Sequence, residues 1–177
     1  MIDSTMGMYS ILEPDEKILE QLQDSKSTLI VGCANCANIS LAHDKHKPIY
    51  QMTTDKKTGA MSYKPVAMAE EAKRLQRLLK TKGIKAETET SHFFYCAPWS
   101  EQTEILAPLG YPPVYKDRDI DSVVVLTCSE GLKGMKRRVK DGVNVVWGMK
   151  TVGGHEPILS YDAASGYVSV DEAKSKF

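Results

Sequence analysis

The sequence lacks a net charge, a long apolar run and an export signal. Its 23 basic and 23 acidic residues balance, so no overall field attracts nucleic acid or an acidic membrane surface. The longest apolar runs hold about six residues, far fewer than a membrane-spanning helix needs. Residues 1–7 show no basic segment followed by an apolar core, so we expect no secretory signal. These absences predict a cytoplasmic protein without nucleic-acid or membrane partners.

Two nucleotide-binding loops are also absent. The sequence has neither the Gly-x-Gly-x-x-Gly turn of dinucleotide-binding domains nor the Gly-x-x-x-x-Gly-Lys-Ser/Thr loop that surrounds phosphates. Nothing therefore supports nucleotide or flavin binding by this chain itself. With 177 residues, the chain is long enough for one domain with a sizeable core.

Cysteine is scarce, and its placement is the most informative feature present. Of four cysteines, Cys33, Cys96 and Cys128 each close a short apolar run, and Cys36 follows Cys33 by three positions. Such runs are typical of buried parallel strands, whose carboxyl ends meet at one edge of a sheet. In a protein that is not exported, thiols are expected to be reduced or to bind metal. The spacing therefore suggests a shared metal or iron–sulfur site.

Strand and helix signals alternate along the chain. Strands are predicted at 28–31, 84–90, 122–127 and 143–147. Helices are predicted from Pro14, over 68–80, from Pro98 to about 110 and from Ser129, and residues 37–43 could form a helical turn. The alternation predicts an α/β fold, a single Rossmann-like domain with a mostly parallel sheet whose strands end in Cys33, Cys96 and Cys128. The strand at 84–90 has a charged face, so we expect it near an edge of the sheet.

The composition divides the chain into three parts. Residues 1–26 are predicted to form an N-terminal arm and a helix, with no pattern in the first dozen residues. Residues 27–150 form the cysteine-bearing α/β domain, in which the polar segment 44–64 is an inserted long loop or small hairpin. The remainder, 151–177, is a C-terminal tail with short strand-like pieces at 158–161 and 167–170.

The Cys33-x-x-Cys36 motif alone is compatible with several kinds of chemistry. It occurs in thioredoxin-like redox pairs, as half of a zinc site and in cluster sites. A second Cys-x-x-Cys, which a zinc ribbon needs, is absent, as is the closely spaced cysteine run of a ferredoxin. Cys96 and Cys128 could equally be small buried hydrophobic residues. If the four thiols share a metal, their softness leaves Zn²⁺ and a [4Fe-4S] cluster as candidates.

The four histidines are weaker candidates. His92 precedes the Phe-Phe-Tyr-Cys96 segment and could reach the thiols as a ligand or as a hydrogen-bond donor to one, although a core or edge role is more common. His43 and His46 form only a weak His-x-x-His pair. His155 follows Gly153-Gly154, which predicts a solvent-exposed turn.

Several segments together resemble one protein family. They are Leu29-Ile-Val-Gly-Cys-Ala-Asn-Cys-Ala37, the Lys/Arg-rich helix at 68–80 followed by Gly83, the post-strand Cys96, and Asp121-Ser-Val-Val-Val-Leu-Thr-Cys-Ser-Glu-Gly131. Across residues 27–148 the chain is similar to the small accessory subunit (MetV) of acetogen-type methylenetetrahydrofolate reductases. The same module is the C-terminal domain of some fused reductases of that family.

The resemblance implies a Rossmann-like domain with a cysteine-bound iron–sulfur or zinc centre. It implies a partner, a flavin-bearing barrel subunit that reduces methylenetetrahydrofolate, and it places the metal ligands at Cys33, Cys36, Cys96 and Cys128. The chain departs from the family at Ser40, where a further cysteine is common, in the inserted segment 44–64, and in the tail after Lys150.

The expected function is that of a metal- or iron–sulfur-binding accessory subunit in one-carbon metabolism. Such a subunit relays electrons to the flavin-bearing partner or supports it structurally, and it is a non-catalytic part of an oxidoreductase. Zinc closed by four thiolates would be structural. Two alternatives remain open: a thiol–disulfide oxidoreductase that uses Cys33 and Cys36, and a zinc-stabilised scaffold for methyl-transfer (corrinoid) proteins.

Overall fold

The structure, a computed structural model, describes residues 7–91 and 115–177. The described residues contain four helices: α1 Asp15–Gln21, α2 Cys36–Asp44, α3 Ala67–Thr81 and α4 Ser129–Lys136. They contain ten strands: β1 Gly7–Leu12, β2 Ser27–Cys33, β3 Tyr50–Thr54, β4 Met61–Pro65, β5 Lys85–Ser91, β6 Ser122–Leu126, β7 Asn144–Trp147, β8 Met149–His155, β9 Leu159–Asp162 and β10 Tyr167–Val170.

A four-stranded parallel sheet forms the centre of the fold. Its strand order is β5-β2-β6-β7, and every neighbouring pair is parallel. Thr28 to Cys33 in β2 and all five residues of β6 are buried, as expected of strands covered on both faces. The predicted mixed α/β architecture is therefore confirmed, and β5 lies at the edge where its charged face is tolerated.

Helix α3 packs against this sheet through the stripe that its sequence predicts. Met68, Ala72, Leu75 and Leu79 are all buried, whereas the lysines and arginines of the helix face outward. The helix is followed by Gly83 at φ 78°, a left-handed conformation that glycine adopts without steric cost. The amphipathic period at 68–80 was thus sufficient to predict this element.

A second, antiparallel sheet joins two segments that lie far apart in the sequence. The polar segment at 44–64 contains β3 and most of β4, and β3 also pairs with β10 from the tail in the order β4-β3-β10-β9. Of the two predicted forms of this segment, the hairpin is confirmed, and the strand-like pieces of the tail are β9 and β10. The inserted segment and the tail therefore form one layer.

The expectation of an unpatterned N-terminal arm is wrong for residues 7–12. These residues form β1, which pairs antiparallel with β8, so that Gly7 lies opposite His155 and Leu12 opposite Met149. The register shifts between Tyr9 and Ser10. Because β1 finds its partner about 140 residues further along the chain, a local pattern could not predict it.

The predicted helix from Pro98 to about 110 lies outside the described residues. No helix in the described ranges combines the length and the apolar character needed to cross a lipid bilayer.

Candidate metal centre

The Cys33-x-x-Cys36 motif lies on the turn between β2 and α2. Cys33 is the last residue of β2 and is buried, and the half-buried Cys36 is the first residue of α2. Cys33, Cys36 and Cys128, the three described cysteines, are thiols rather than disulfides. Two soft sulfur donors therefore stand at the carboxyl end of a central strand.

Cys128 lies at the same edge, next to the neighbouring strand. Gly32 of β2 is paired with Leu126 of β6, and Cys128 follows two residues after β6 ends. Cys128 is buried and precedes α4 in an extended conformation. Both thiol-bearing turns therefore leave adjacent parallel strands in the same direction.

Cys96 and His92, the other two predicted site residues, lie outside the described residues. The last described residue before them is Ser91 at the end of β5, which is paired with Cys33. Cys96 follows Ser91 by five positions in the sequence.

A chain of hydrogen bonds links the turn of Cys36 to the turn of Cys128. The Ser40 hydroxyl donates to the carbonyl of Cys36 at 2.9 Å and accepts from the amide of Ser10 at 3.1 Å. The hydroxyls of Ser10 and Thr151 are 3.1 Å apart, and Thr151 accepts from the amide of Ser129 at 2.9 Å. Strands β1 and β8 thus connect the two cysteine turns, and Ser40 makes a structural contact where the resembling family commonly has a thiol.

Tyr50 covers the first cysteine turn. Its hydroxyl donates to the carbonyl of Ala34, between the two thiols. Burial raises the pKa of Tyr50 well above its ordinary value, and the neighbouring Tyr63, Cys33 and Cys36 raise it further. The phenol therefore remains a neutral hydrogen-bond donor at physiological pH.

His155 is close to Cys36, and its predicted position in an exposed turn is wrong. Only 4% of the residue is exposed, at the end of β8. A Cβ placed on Gly7 would be 2.4 Å from His155 Nε2 and 3.1 Å from Cys36 Sγ. Burial, with a smaller effect of His43, lowers the pKa of His155. Neither ring nitrogen has a hydrogen-bond partner among the residues described.

His155 also lies beside aromatic rings. The ring of Phe177 stacks on the ring of His43, with the two ring centroids 3.8 Å apart, and its centroid lies 5.4 Å from that of His155. The ring of Tyr9 meets His43 edge-on and His155 at a tilt. His43 and His46 both approach Glu172, at 3.7 and 3.0 Å. The predicted His-x-x-His pair therefore contacts a carboxylate and an aromatic ring.

Thiols and imidazoles are ligands that soft metals prefer, and the three described thiols lie at the carboxyl ends of β2 and β6. Among the described residues, no three histidine, cysteine or acidic side chains stand close enough together to hold an ion as they are oriented. No signal in the sequence pointed to His155, because its neighbourhood depends on the pairing of β1 with β8.

No protein-family model, no curated protein and no solved structure compared with the chain matches it.

Proposed function

We propose that the protein is a metal- or iron–sulfur-binding accessory subunit of a methylenetetrahydrofolate reductase-type complex. The observation that carries the proposal is the position of the two cysteine turns. Cys33 and Cys36 follow β2, Cys128 follows β6, and these two strands are neighbours in a parallel sheet. The sequence resemblance supplies the reductase and the one-carbon chemistry.

The strand order supports a site at this place and the Rossmann-like assignment. Taken in chain order, the parallel strands are β2, β5, β6 and β7, and in space they run second, first, third, fourth. This is the beginning of the 2-1-3-4-5 order of doubly wound folds, in which ligands bind where the order reverses. The reversal lies between β2 and β6, which are the strands followed by Cys33 and Cys128.

Cys33, Cys36 and Cys128 would hold the metal, and Cys96 is the fourth thiol implied by the resemblance. His92 is a candidate ligand or hydrogen-bond donor to one of these thiols, although a core or edge role is more common for such a histidine. A cluster bound there supplies one-electron transfer, whereas zinc supplies a cross-link between the turns. The chain's own contribution is to fix these turns, through Ser40, Ser10 and Thr151, at the edge of a buried sheet.

The partner in this proposal is the flavin-bearing reductase subunit. The chain has no nucleotide-binding loop of its own, so hydride chemistry belongs to the partner. We place the complex in the cytoplasm, where thiols remain reduced.

The test is metal analysis and absorption spectroscopy of protein prepared without oxygen. We expect about one zinc or four irons per chain, with Cys33→Ser and Cys128→Ser losing most of it. Ala37→Ser is the matched control, because it also places a hydroxyl at a buried position beside Cys36 but removes no thiol. Co-purification with the flavoprotein tests the partner. Absence of metal from the unmodified protein would contradict the proposal.

The same preparation separates the alternatives. A reversible Cys33–Cys36 disulfide in metal-free protein would favour the thiol–disulfide oxidoreductase. Zinc without affinity for a flavoprotein would favour the scaffold for methyl-transfer proteins.

A further inference from the structure

The second sheet, of strands β4, β3, β10 and β9, has one apolar side and one polar side. Its strand pairs place Tyr63 opposite Met52, and Tyr50 opposite Val168. Residues directly opposite in an antiparallel pair point to the same side, and alternate residues along each strand join them. The apolar face defined in this way contains Tyr50, Met52, Met61, Tyr63, Tyr161 and Val168. The other side carries the polar residues Gln51, Lys64 and Ser160.

One end of the apolar face lies against the first cysteine turn, and the other end is exposed. The Tyr50 hydroxyl donates to the carbonyl of Ala34 between the two thiols, and the Tyr63 ring lies edge-on to the Tyr50 ring, with the centroids 5.2 Å apart. Beyond them, the exposed fraction is 42% for Tyr63, 70% for Met61 and 61% for Tyr161. Tyrosine and methionine are enriched where proteins bind one another, and a contiguous apolar surface on a folded chain marks such sites.

The size of the exposed end favours a transient partner over a stable dimer. Four strands at a spacing of about 4.8 Å and a length of about four residues give roughly 250 Å². A stable complex buries about 800 Å² on each partner, whereas electron-transfer complexes form with less. A second copy of the chain held by this surface alone would therefore dissociate readily.

The border of the exposed end carries an excess of positive charge. The β3–β4 hairpin holds Lys56, Lys57 and Lys64, all exposed, against the single acid Asp55. Asp162 of the neighbouring β9–β10 hairpin does not balance them. The chain as a whole is neutral, so the excess is local. It selects a partner with an acidic border, since a second copy would bring the same lysines.

We propose that the exposed end of the apolar face is the docking surface for the flavin-bearing reductase subunit, which binds it transiently through an apolar surface bordered by acidic residues. The inference rests on the proposed function and deepens it by locating the partner. A subunit seated on this face stands next to the turn of Cys33 and Cys36, because Tyr50 joins the face to that turn. That is the position from which electrons can be relayed to a flavin.

The first test is the affinity of the full chain for the purified methylenetetrahydrofolate reductase flavoprotein of the same organism, measured by biolayer interferometry. The double variant Met61→Ser with Tyr161→Ser should weaken binding by about 10- to 100-fold. Tyr167→Ser is the matched control, because Tyr167 precedes Val168 in β10 and points to the polar side of the same sheet. It should leave the affinity unchanged.

The second test addresses the charge of the border. Lys57→Glu should slow association with the flavoprotein by about three- to tenfold at low salt, and the difference should disappear at high salt. Lys140→Glu is the control, because this exposed lysine lies before β7, at the amino ends of the parallel strands and away from the cysteine turns. It should leave the association rate unchanged.

The outcomes separate this inference from the proposed function. If the flavoprotein binds the unmodified chain and the double variant equally well, the docking surface is overturned and the accessory subunit stands. If the unmodified chain does not bind the flavoprotein, both are overturned. A dimer of the unmodified chain in light scattering that Tyr161→Ser dissociates would assign the face to a second copy and overturn the inference. Should the double variant fail to fold in a urea titration, Lys57→Glu decides, and an unchanged association rate overturns the inference.

Discussion

The hydroxyl of Ser40 accepts a hydrogen bond from the backbone amide of Ser10 at 3.1 Å, and both residues are completely buried. The contact joins α2 to β1 at the point where the β1–β8 register shifts. The same hydroxyl donates to Cys36, so the first turn of α2 and the N-terminal strand are held by one side chain.

Removal of this hydroxyl should destabilise the fold. Ser40→Ala leaves the buried Ser10 amide without its acceptor, and we expect a loss of about 1–3 kcal/mol in the free energy of unfolding. Urea denaturation measures the change. Ser62→Ala, in which an exposed hydroxyl is lost from β4, should cost less than about 0.5 kcal/mol. Equal losses of unfolding free energy in the two variants would show that the Ser10–Ser40 hydrogen bond contributes no more to stability than an exposed hydroxyl.

Gly7→Ala should disturb the β1–β8 pair and the imidazole beside it. The new Cβ would stand 2.4 Å from His155 Nε2, well inside the contact distance, so that the ring or the strand must move. We expect a destabilisation of about 1–3 kcal/mol in thermal or urea unfolding. The control is Gly153→Ala in the same ladder, where a Cβ meets nothing within 4 Å. If both variants were equally stable, the tight packing over Gly7 would be disproved.

Asn38 connects α2 to two further elements. Its amide donates to the carbonyl of Ile49 at 2.9 Å and its side-chain oxygen accepts from the amide of Met68 at 2.9 Å, with the residue fully buried. Asn38→Ala leaves the Ile49 carbonyl and the Met68 amide without these hydrogen-bond partners. We expect the free energy of unfolding, measured by chemical denaturation, to fall by about 2–4 kcal/mol. Asn144→Ala, which loses one hydrogen bond at an exposed site, should cost far less. A small effect at Asn38 would mean that water replaces the amide.

Glu71 should make the fold sensitive to acid. Burial opposes its ionisation, but hydrogen bonds from Arg74 and Lys45 outweigh that cost and lower the pKa of Glu71. A lowered carboxyl pKa stabilises the fold above about pH 4.5, the ordinary value, and this contribution is lost as the pH falls through the folded-state pKa. Asp15, whose pKa is also lowered chiefly by Arg74, acts in the same direction.

Glu71→Gln should therefore lower stability by about 2 kcal/mol at pH 7 and flatten the stability curve below pH 4.5. Denaturant titrations from pH 7 to pH 3 measure both effects. Glu70→Gln on the same helix is the control, because its pair with Lys47 is exposed and such pairs contribute less than about 1 kcal/mol. If the stability of Glu71→Gln fell between pH 4.5 and pH 3 as steeply as that of the unmodified protein, the role of Glu71 in acid sensitivity would be refuted.

Local patterns in the sequence were enough to predict the parallel sheet and the helix over 68–80. Runs such as 28–31 and 122–127 are apolar at nearly every position because both faces of β2 and β6 are covered. The spacing of the buried apolar residues in α3 follows from the geometry of a single helix. These residues are Met68, Ala72, Leu75 and Leu79. The same rule about parallel strands predicted that Cys33 and Cys128 leave the sheet at one edge.

The tertiary structure alone decided which distant segments pair and what lies beside the thiols. Residues 7–12 carry no pattern of their own and become β1 only because β8 supplies their hydrogen bonds from about 140 residues away. That pairing buries His155 and places its ring over Gly7, which the Cys36 thiol also approaches. Periodicity records the burial of a residue within its own element, but it contains no information on which remote strand completes the sheet.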